Sequence, residues 1–410
     1  MIVSERLRPQ VFRLPIEKIR AGYKSDIYFA RTKLILERDQ LHDRVTMQVF
    51  QKHPDAVIVG TDQTLALLHV GAGAYHDRAK SETLFARYLD AERRLYAHWL
   101  ALPRGSWETY EPVAREVYEL SNELATLWEP AWQDLAVSSL YDGEIAAPRE
   151  PVLHIEGDYA AFAHLETLYL GVLARRTKVG TNTHRVVEAA KPKQVMFFPA
   201  RHDHWLVQTG DGYAAHIAGA IGVSTDAQAS WWGSEGVGTV PHALIAAYGG
   251  DTVLASQKFA ELMDANVRLI TLVDFENDCV GTSLKVARAL GERLYGVRID
   301  TSETLVDNSV IPQMGTFKPT GVTPQLVWNV RRALDREGFK HVRIVVSGGF
   351  TVEKIRHFEE QEVPVDMYGV GSSLFQGRFD FTADVVRVEG KPLAKVGRSY
   401  RPNPRLERVE

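Results

Sequence analysis

Apolar and polar positions change rhythm near residue 150. From residue 30 to 145 long polar and aromatic side chains dominate, and YEPVAREVYELSNELATLW (110–128) repeats its apolar residues at helical spacing. Pro130, Pro148 and Pro151 interrupt that pattern and place a domain boundary near residue 150. Beyond it, short apolar runs alternate with amphipathic stretches. QVMFFPA, IGVSTDA, TVLAS, LITLVDF, YGVRIDT, VRIVVSGG and VDMYGVGSS read as strands, several of them almost wholly apolar, as a sheet buried on both faces requires.

The helices between them carry start and stop signals. Thr323 and Pro324 read as N-cap and first turn, Gly338 as the stop, with Leu326, Val327, Val330 and Leu334 on one face. Thr351 precedes VEKIRHFEEQ, whose inward side is Val352, Ile355 and Phe358. Strands alternating with helices pair in parallel through right-handed crossovers. The predicted fold is therefore α/β: an irregular β/α barrel of about seven parallel strands over residues 151–379, with a separate N-terminal α+β domain over 1–150. A doubly wound open sheet shares the same periodicity. VVRVEGKPLAKVG (385–397) reads as strand and turn, so the segment 380–410 is expected to join the N-terminal domain.

With 410 residues, 45% hydrophobic and 24% charged, the composition excludes collagen, coiled coil and disorder. Lys plus Arg number 48 against 52 Asp plus Glu, so no basic excess points to nucleic acid, and any bound anion needs a local site. A single cysteine, Cys279, excludes an internal disulfide and a multi-thiolate zinc site, and no zinc is expected. MIVSERLRPQVFRLP has no uninterrupted apolar stretch of signal-peptide type, and no apolar run reaches membrane-spanning length. The expected location is a reduced cytoplasm, with no membrane partner.

Chemistry concentrates at the strand ends. Ser347, Gly348 and Gly349 follow VRIVV and precede the helix start at Thr351; Gly369, Val370, Gly371, Ser372 and Ser373 repeat the arrangement one strand later. Glycine lets backbone N–H groups approach an anion, and the loops after the last barrel strands commonly hold phosphate. Neither G-x-G-x-x-G nor G-x-x-x-x-G-K-[ST] is present, which disfavours a dinucleotide fold and a P-loop.

Asp274 closes LITLVD, and Asp300 closes YGVRID with Arg298 two residues earlier on the same strand face. Such a pair serves either as a structural ion pair or as a grip on a diphosphate and its Mg²⁺. In FFPARHDHW, Phe198 and Arg201 suit a planar carboxylate, by stacking and by a guanidinium fork. His202 and His204 in the same segment lack a clear third metal ligand. His242 follows the turn of GVGTVPHALI at a helix start, where a capping role and a nucleophilic one are both open. LARRTKVGTNTHR (173–185) is basic, with Arg175, Arg176, Lys178 and Arg185.

Together, GYKSDIYFART, GTVPH, LVDF, VRID and the SGG/GVGSS pair resemble the nicotinate phosphoribosyltransferases, a type II phosphoribosyltransferase family, in their shorter archaeal and bacterial form. The resemblance spans nearly the whole chain, although Pro199 stands where glycine is expected. It implies transfer of ribosyl phosphate from phosphoribosyl pyrophosphate to nicotinate, in NAD biosynthesis, with ATP hydrolysis coupled through phosphorylated His242. It further implies that Tyr28, with Asp26, stacks on the pyridine ring across a dimer interface. Phe198 would form the opposite face, Arg201 the carboxylate contact, and Thr225 and Asp226 a polar pair in that pocket. Asp274, Arg298 and Asp300 would meet ribose and diphosphate, and Ser347, Gly348, Gly349, Gly369, Gly371 and Ser372 the 5′-phosphate. Mg²⁺ would come mainly with the substrate, touching Asp274 or Asp300, and the assembly would be a homodimer or a dimer-based hexamer with a shared site. Arg175 and Thr177, in ARRTKVG, are similar to an element of the quinolinate enzymes. Quinolinate or nicotinamide as substrate, and a barrel that merely binds a phosphorylated metabolite, are the alternatives.

Overall fold

The computed structural model describes residues 5–101, 106–264 and 266–409. Two compact units make up the chain, one of residues 2–175 with 379–410, the other of residues 176–378.

The N-terminal unit is built on a six-stranded antiparallel sheet. Its order is Lys391–Pro392, Phe381–Val388, Arg44–Gln51, Pro151–Asp158, Ala136–Ser139 and Glu407–Arg408. Arg44–Gln51 lies between Phe381–Val388, paired from Val45↔Val388 to Gln51↔Phe381, and Pro151–Asp158. The division into units thus falls between Arg175 and Arg176, later than the boundary expected near 150. Pro148 and Pro151 mark the entry to a strand of this sheet: proline is tolerated as a strand's first residue, where its missing N–H costs no ladder bond. Met47, Val49, Ile58, Leu68, Leu153, Ile155 and Phe162 form the core. The helices Arg78–Ala101 and Trp107–Leu127 pair as a hairpin around Leu84, Tyr88, Leu120 and Leu124.

One acid in this unit is held in an uncomfortable state. Asp142 Oδ1 accepts from Gly60 N, Thr61 N and Thr61 Oγ1, each at 2.8 Å, and so caps the helix Thr61–Gly71, while Oδ2 has no partner among the described residues. Burial, then the charge of nearby Asp62, raises its pKa to about 7. Because the folded chain keeps this proton longer than the unfolded one, stability should fall as pH rises from about 4 through 7, by on the order of 4 kcal/mol. Urea unfolding at pH 5.5 and 8 checks this: Asp142→Asn retains the capping acceptor and should flatten the slope.

The second unit carries six parallel strands in the order Leu269–Leu272, Leu294–Ile299, Arg343–Val346, Met367–Val370, Gln194–Phe197 and Gly222–Val223. The sheet curls into an irregular β/α barrel. TVLAS, expected as a strand, is the start of the helix Thr252–Leu262, because Asp251 Oδ1 caps Leu254 N at 2.9 Å and outweighs two β-branched residues. The remaining place is taken by the segment Val237–Val240. Val237 N donates to Val223 O at 2.8 Å and Val240 N to Ile270 O at 2.9 Å, so the segment spans the gap between the two edge strands. Thr323 and Thr351 cap the helices Pro324–Arg336 and Val352–Glu360 through their hydroxyls.

Candidate active site

Strand register levels the carboxyl ends of the barrel. Leu272 pairs with Arg298, Ile299 with Val346, Val346 with Tyr368, and Val370 with Phe197. The residues that follow each pairing therefore meet at one rim. They line a cavity of 770 Å³ that holds Phe198, Arg201, His242, Arg298, Asp300, Ser347, Gly348, Gly349, Gly369, Gly371 and Ser372 together.

Its centre is Arg298. The guanidinium donates from Nε to Ser347 Oγ (2.8 Å), from Nη1 to Thr239 Oγ1 (3.2 Å) and from Nη2 to Asp300 Oδ2 (3.2 Å). Ser347 in turn donates to Asp300 Oδ1 at 2.6 Å. Each member fixes the next, so the charge is held in place before a ligand arrives. The Phe198 ring lies 5.3 Å from the guanidinium carbon.

His242 opens the helix His242–Ala247 and half faces the cavity. Its Nε2 bonds Asp274 Oδ1 at 2.9 Å, and Asp274 is itself nearly buried behind it. The hydrogen bond to Asp274 is the main reason that the imidazole pKa is raised; burial opposes it, and Asp300 adds to it. With Nε2–H donating to the carboxylate, the neutral ring presents the lone pair of Nδ1.

The glycine loops leave room that side chains would fill. Gly348 and Gly349 take φ of +88° and +65°, and the Lys354 ammonium donates to Gly348 O at 3.1 Å. A Cβ at Gly371 would lie 2.9 Å from His202 Cε1, which places His202 on the cavity wall. A Cβ at Gly369 would lie 2.6 Å from Phe198 Cδ2. Gly369→Ala should therefore displace the Phe198 ring and raise KM for a planar substrate about tenfold, roughly 1.4 kcal/mol, with little change in melting temperature; steady-state kinetics and a thermal melt read both.

Other expected residues sit elsewhere. Thr225 and Asp226 do not line the cavity: the Thr225 hydroxyl caps Gln228 N at 3.1 Å, and Asp226 Oδ1 accepts from Gly236 N at 2.8 Å. They brace the loop beside Ser224, which does line it. Arg175 and Thr177 lie on the helix Glu166–Ala190, Thr177 fully buried, and neither lines the cavity. Asp26 and Tyr28 belong to the N-terminal unit, where Asp26 Oδ2 accepts from Thr167 Oγ1 at 3.0 Å and Tyr28 is 57% exposed. Sequence reasoning missed Thr239 and Glu303, which line the cavity. Thr239 stands inside the GTVPH stretch already singled out, and Glu303 three residues past the VRID strand end.

Residues 122–177 match the family described as quinolinate phosphoribosyl transferase, N-terminal domain. Nicotinate phosphoribosyltransferase pncB1 of Mycobacterium tuberculosis is 32% identical over 272 residues, 64% of this chain and 56% of the relative. The Bacillus subtilis nicotinate phosphoribosyltransferase is 24% identical, over 58% of this chain and 45% of the relative. The chain thus spans about half the length of the curated relatives it matches. Among solved structures, the nicotinate-nucleotide pyrophosphorylase of Pyrococcus furiosus is 31% identical with a TM-score of 0.70, covering 96% of this chain and 84% of that one. This chain belongs to the family of that nicotinate-nucleotide pyrophosphorylase, the type II phosphoribosyltransferases. The human nicotinic acid phosphoribosyltransferase, at 18% identity, shares the family fold with a TM-score of 0.60 over 92% of this chain and 77% of that one.

Proposed function

We propose that the protein is a nicotinate phosphoribosyltransferase of NAD biosynthesis, forming nicotinate mononucleotide and pyrophosphate from nicotinate and phosphoribosyl pyrophosphate. The observation that carries this reading is the Arg298–Asp300–Ser347 network facing His242–Asp274 across one cavity edged by two glycine turns. Departure of diphosphate from the sugar leaves a cation-like anomeric carbon, so positioning and charge matter more than proton transfer.

Within this reading Arg298 holds the diphosphate, and Asp300 and Ser347 fix the guanidinium. The backbone at Gly348–Gly349 and at Gly369–Gly371 receives the 5′-phosphate beside a helix start. Phe198 stacks on the pyridine ring, and Arg201 pairs with its carboxylate. Exposed Tyr28, with Asp26, would complete the ring's other face from a second copy in a homodimer or dimer-based hexamer.

His242 Nδ1 accepts a phosphoryl group from ATP: the bond from nitrogen to the γ-phosphorus forms as the bond to the ADP oxygen breaks, and water later returns the phosphoryl group as phosphate. Asp274 accepts the hydrogen bond from Nε2–H, leaves that proton on the ring and stabilises the positive charge of the phosphorylated imidazole. Asp300 and Glu303 stand where a magnesium ion carried by the diphosphate would meet protein oxygen. Two carboxylates at the cavity wall suit a hard cation that takes its other oxygens from the substrate. An ion held there would neutralise charge on the departing diphosphate.

Decarboxylating transfer to quinolinate is the second reading, favoured by the match of residues 122–177 and by the name of the Pyrococcus relative. Incubation with phosphoribosyl pyrophosphate, Mg²⁺ and each of nicotinate, quinolinate and nicotinamide, with and without ATP, decides between them. Nicotinate mononucleotide from nicotinate alone, stimulated by ATP, is expected. Carbon dioxide release from quinolinate would instead select the second reading.

A further inference from the structure

A second cavity, of 110 Å³, lies wholly within the N-terminal unit, among Arg20, Ala30, Lys33, Tyr75, Phe85 and His164. It holds several buried polar groups that the fold itself leaves unused. Among the described residues the buried Tyr75 hydroxyl has no hydrogen-bond partner, nor has the indole N–H of Trp128, whose ring packs edge-on against Tyr75, and fully buried His164 has at most the Gly71 backbone. Arg20 donates from Nε to Val70 O at 2.9 Å and lies over the Trp128 ring, but no described residue accepts from its two terminal nitrogens. Orphaned buried groups of this kind call for an explanation, and Tyr75, His164 and Arg20 all line this one space.

The other charges at the wall are already matched. Lys33 donates to Gly73 O and Ala160 O and pairs with Glu37 at 3.0 Å, while Arg78 binds Glu37 and Glu82. Burial, and then the charge of Lys33, keeps His164 neutral, with the Gly71 backbone acting the other way. The terminal nitrogens of Arg20 can only donate and the Tyr75 hydroxyl is able to, so an accepting occupant suits them both. Glu37 and Glu82 at the wall disfavour a dianion, and Phe85, Ala21 and Ala30 offer an apolar surface. The volume is below the ~150 Å³ that admits benzene.

We propose that this cavity binds a short-chain monocarboxylate of three or four carbons. The guanidinium of Arg20 takes the carboxylate, the Tyr75 hydroxyl donates a second bond, and the hydrocarbon tail lies against Phe85 and Ala30. The site is independent of the barrel chemistry.

Sodium propanoate titrated into the full chain, followed by calorimetry and thermal melting, tests it against sodium chloride and sodium phosphate at equal ionic strength. Saturable binding at one site is expected for propanoate only, weakened about tenfold in Arg20→Gln and about fivefold in Tyr75→Phe. Tyr75→Phe removes a hydroxyl with no protein partner, so it should fold as well as wild type even where Arg20→Gln does not. Ala30→Val, which narrows the cavity, should also weaken binding. A response equal to that of chloride or phosphate, or propanoate binding unchanged in Tyr75→Phe and Ala30→Val, would overturn the proposal. So would a crystal grown in propanoate whose cavity holds only water.

Discussion

Arg298→Ala is expected to lower kcat/KM for phosphoribosyl transfer about a thousandfold, close to 4 kcal/mol. Two losses combine. The diphosphate loses a positioned charge, and Asp300, which now accepts from both Arg298 and Ser347, keeps a partly buried carboxylate with its main partner gone. Arg298→Lys should recover only part of the rate, since an ammonium cannot span Ser347, Thr239 and Asp300 at once. Steady-state kinetics with both substrates varied separates the effects: the loss should fall on phosphoribosyl pyrophosphate, and a variant within threefold of wild type would remove Arg298 from the site.

His242→Ala should erase the response to ATP altogether, so that the ratio of initial rates with and without ATP becomes one and no phosphate is released from ATP. Asp274→Asn retains the geometry but gives the ring a donor where it had an acceptor, and should cut ATP-stimulated turnover by about two to four orders of magnitude. The same change removes the main cause of the raised His242 pKa, so the imidazole should titrate at lower pH in an NMR titration. A wild type whose ring takes no phosphoryl group from labelled ATP would sink the phosphohistidine reading while leaving transferase activity to be judged on its own.

Much of the barrel was legible because its signals are local. Thr323 and Thr351 announce helix starts through their own hydroxyls, and Arg298 and Asp300 share a strand face by period two, so their meeting follows from spacing alone. TVLAS misled because a five-residue apolar run fits strand and helix alike; the deciding residue, Asp251, lies just outside it. The proline-marked boundary misled because proline can open a strand as readily as it ends a domain. Thr239 and Glu303 reach the cavity along non-periodic loops, where no alternation indicates which way a side chain points. Thr225 and Asp226 were visible as polar residues past a strand, but their hydroxyl and carboxylate are spent on capping and on Gly236.

The strand Arg44–Gln51 has its two neighbours at unequal distances along the chain: Pro151–Asp158 follows within the same stretch, but Phe381–Val388 comes only after the whole barrel. During synthesis roughly 330 residues must be added between these partners, which at about 5–20 residues per second takes on the order of 20–60 seconds. For that interval one edge of the strand stands open, with Met47, Val49 and Phe50 awaiting cover. A nascent chain stalled before residue 381 is thus a natural client for chaperones, and the late strand Phe381–Val388 is the latch that covers the open edge.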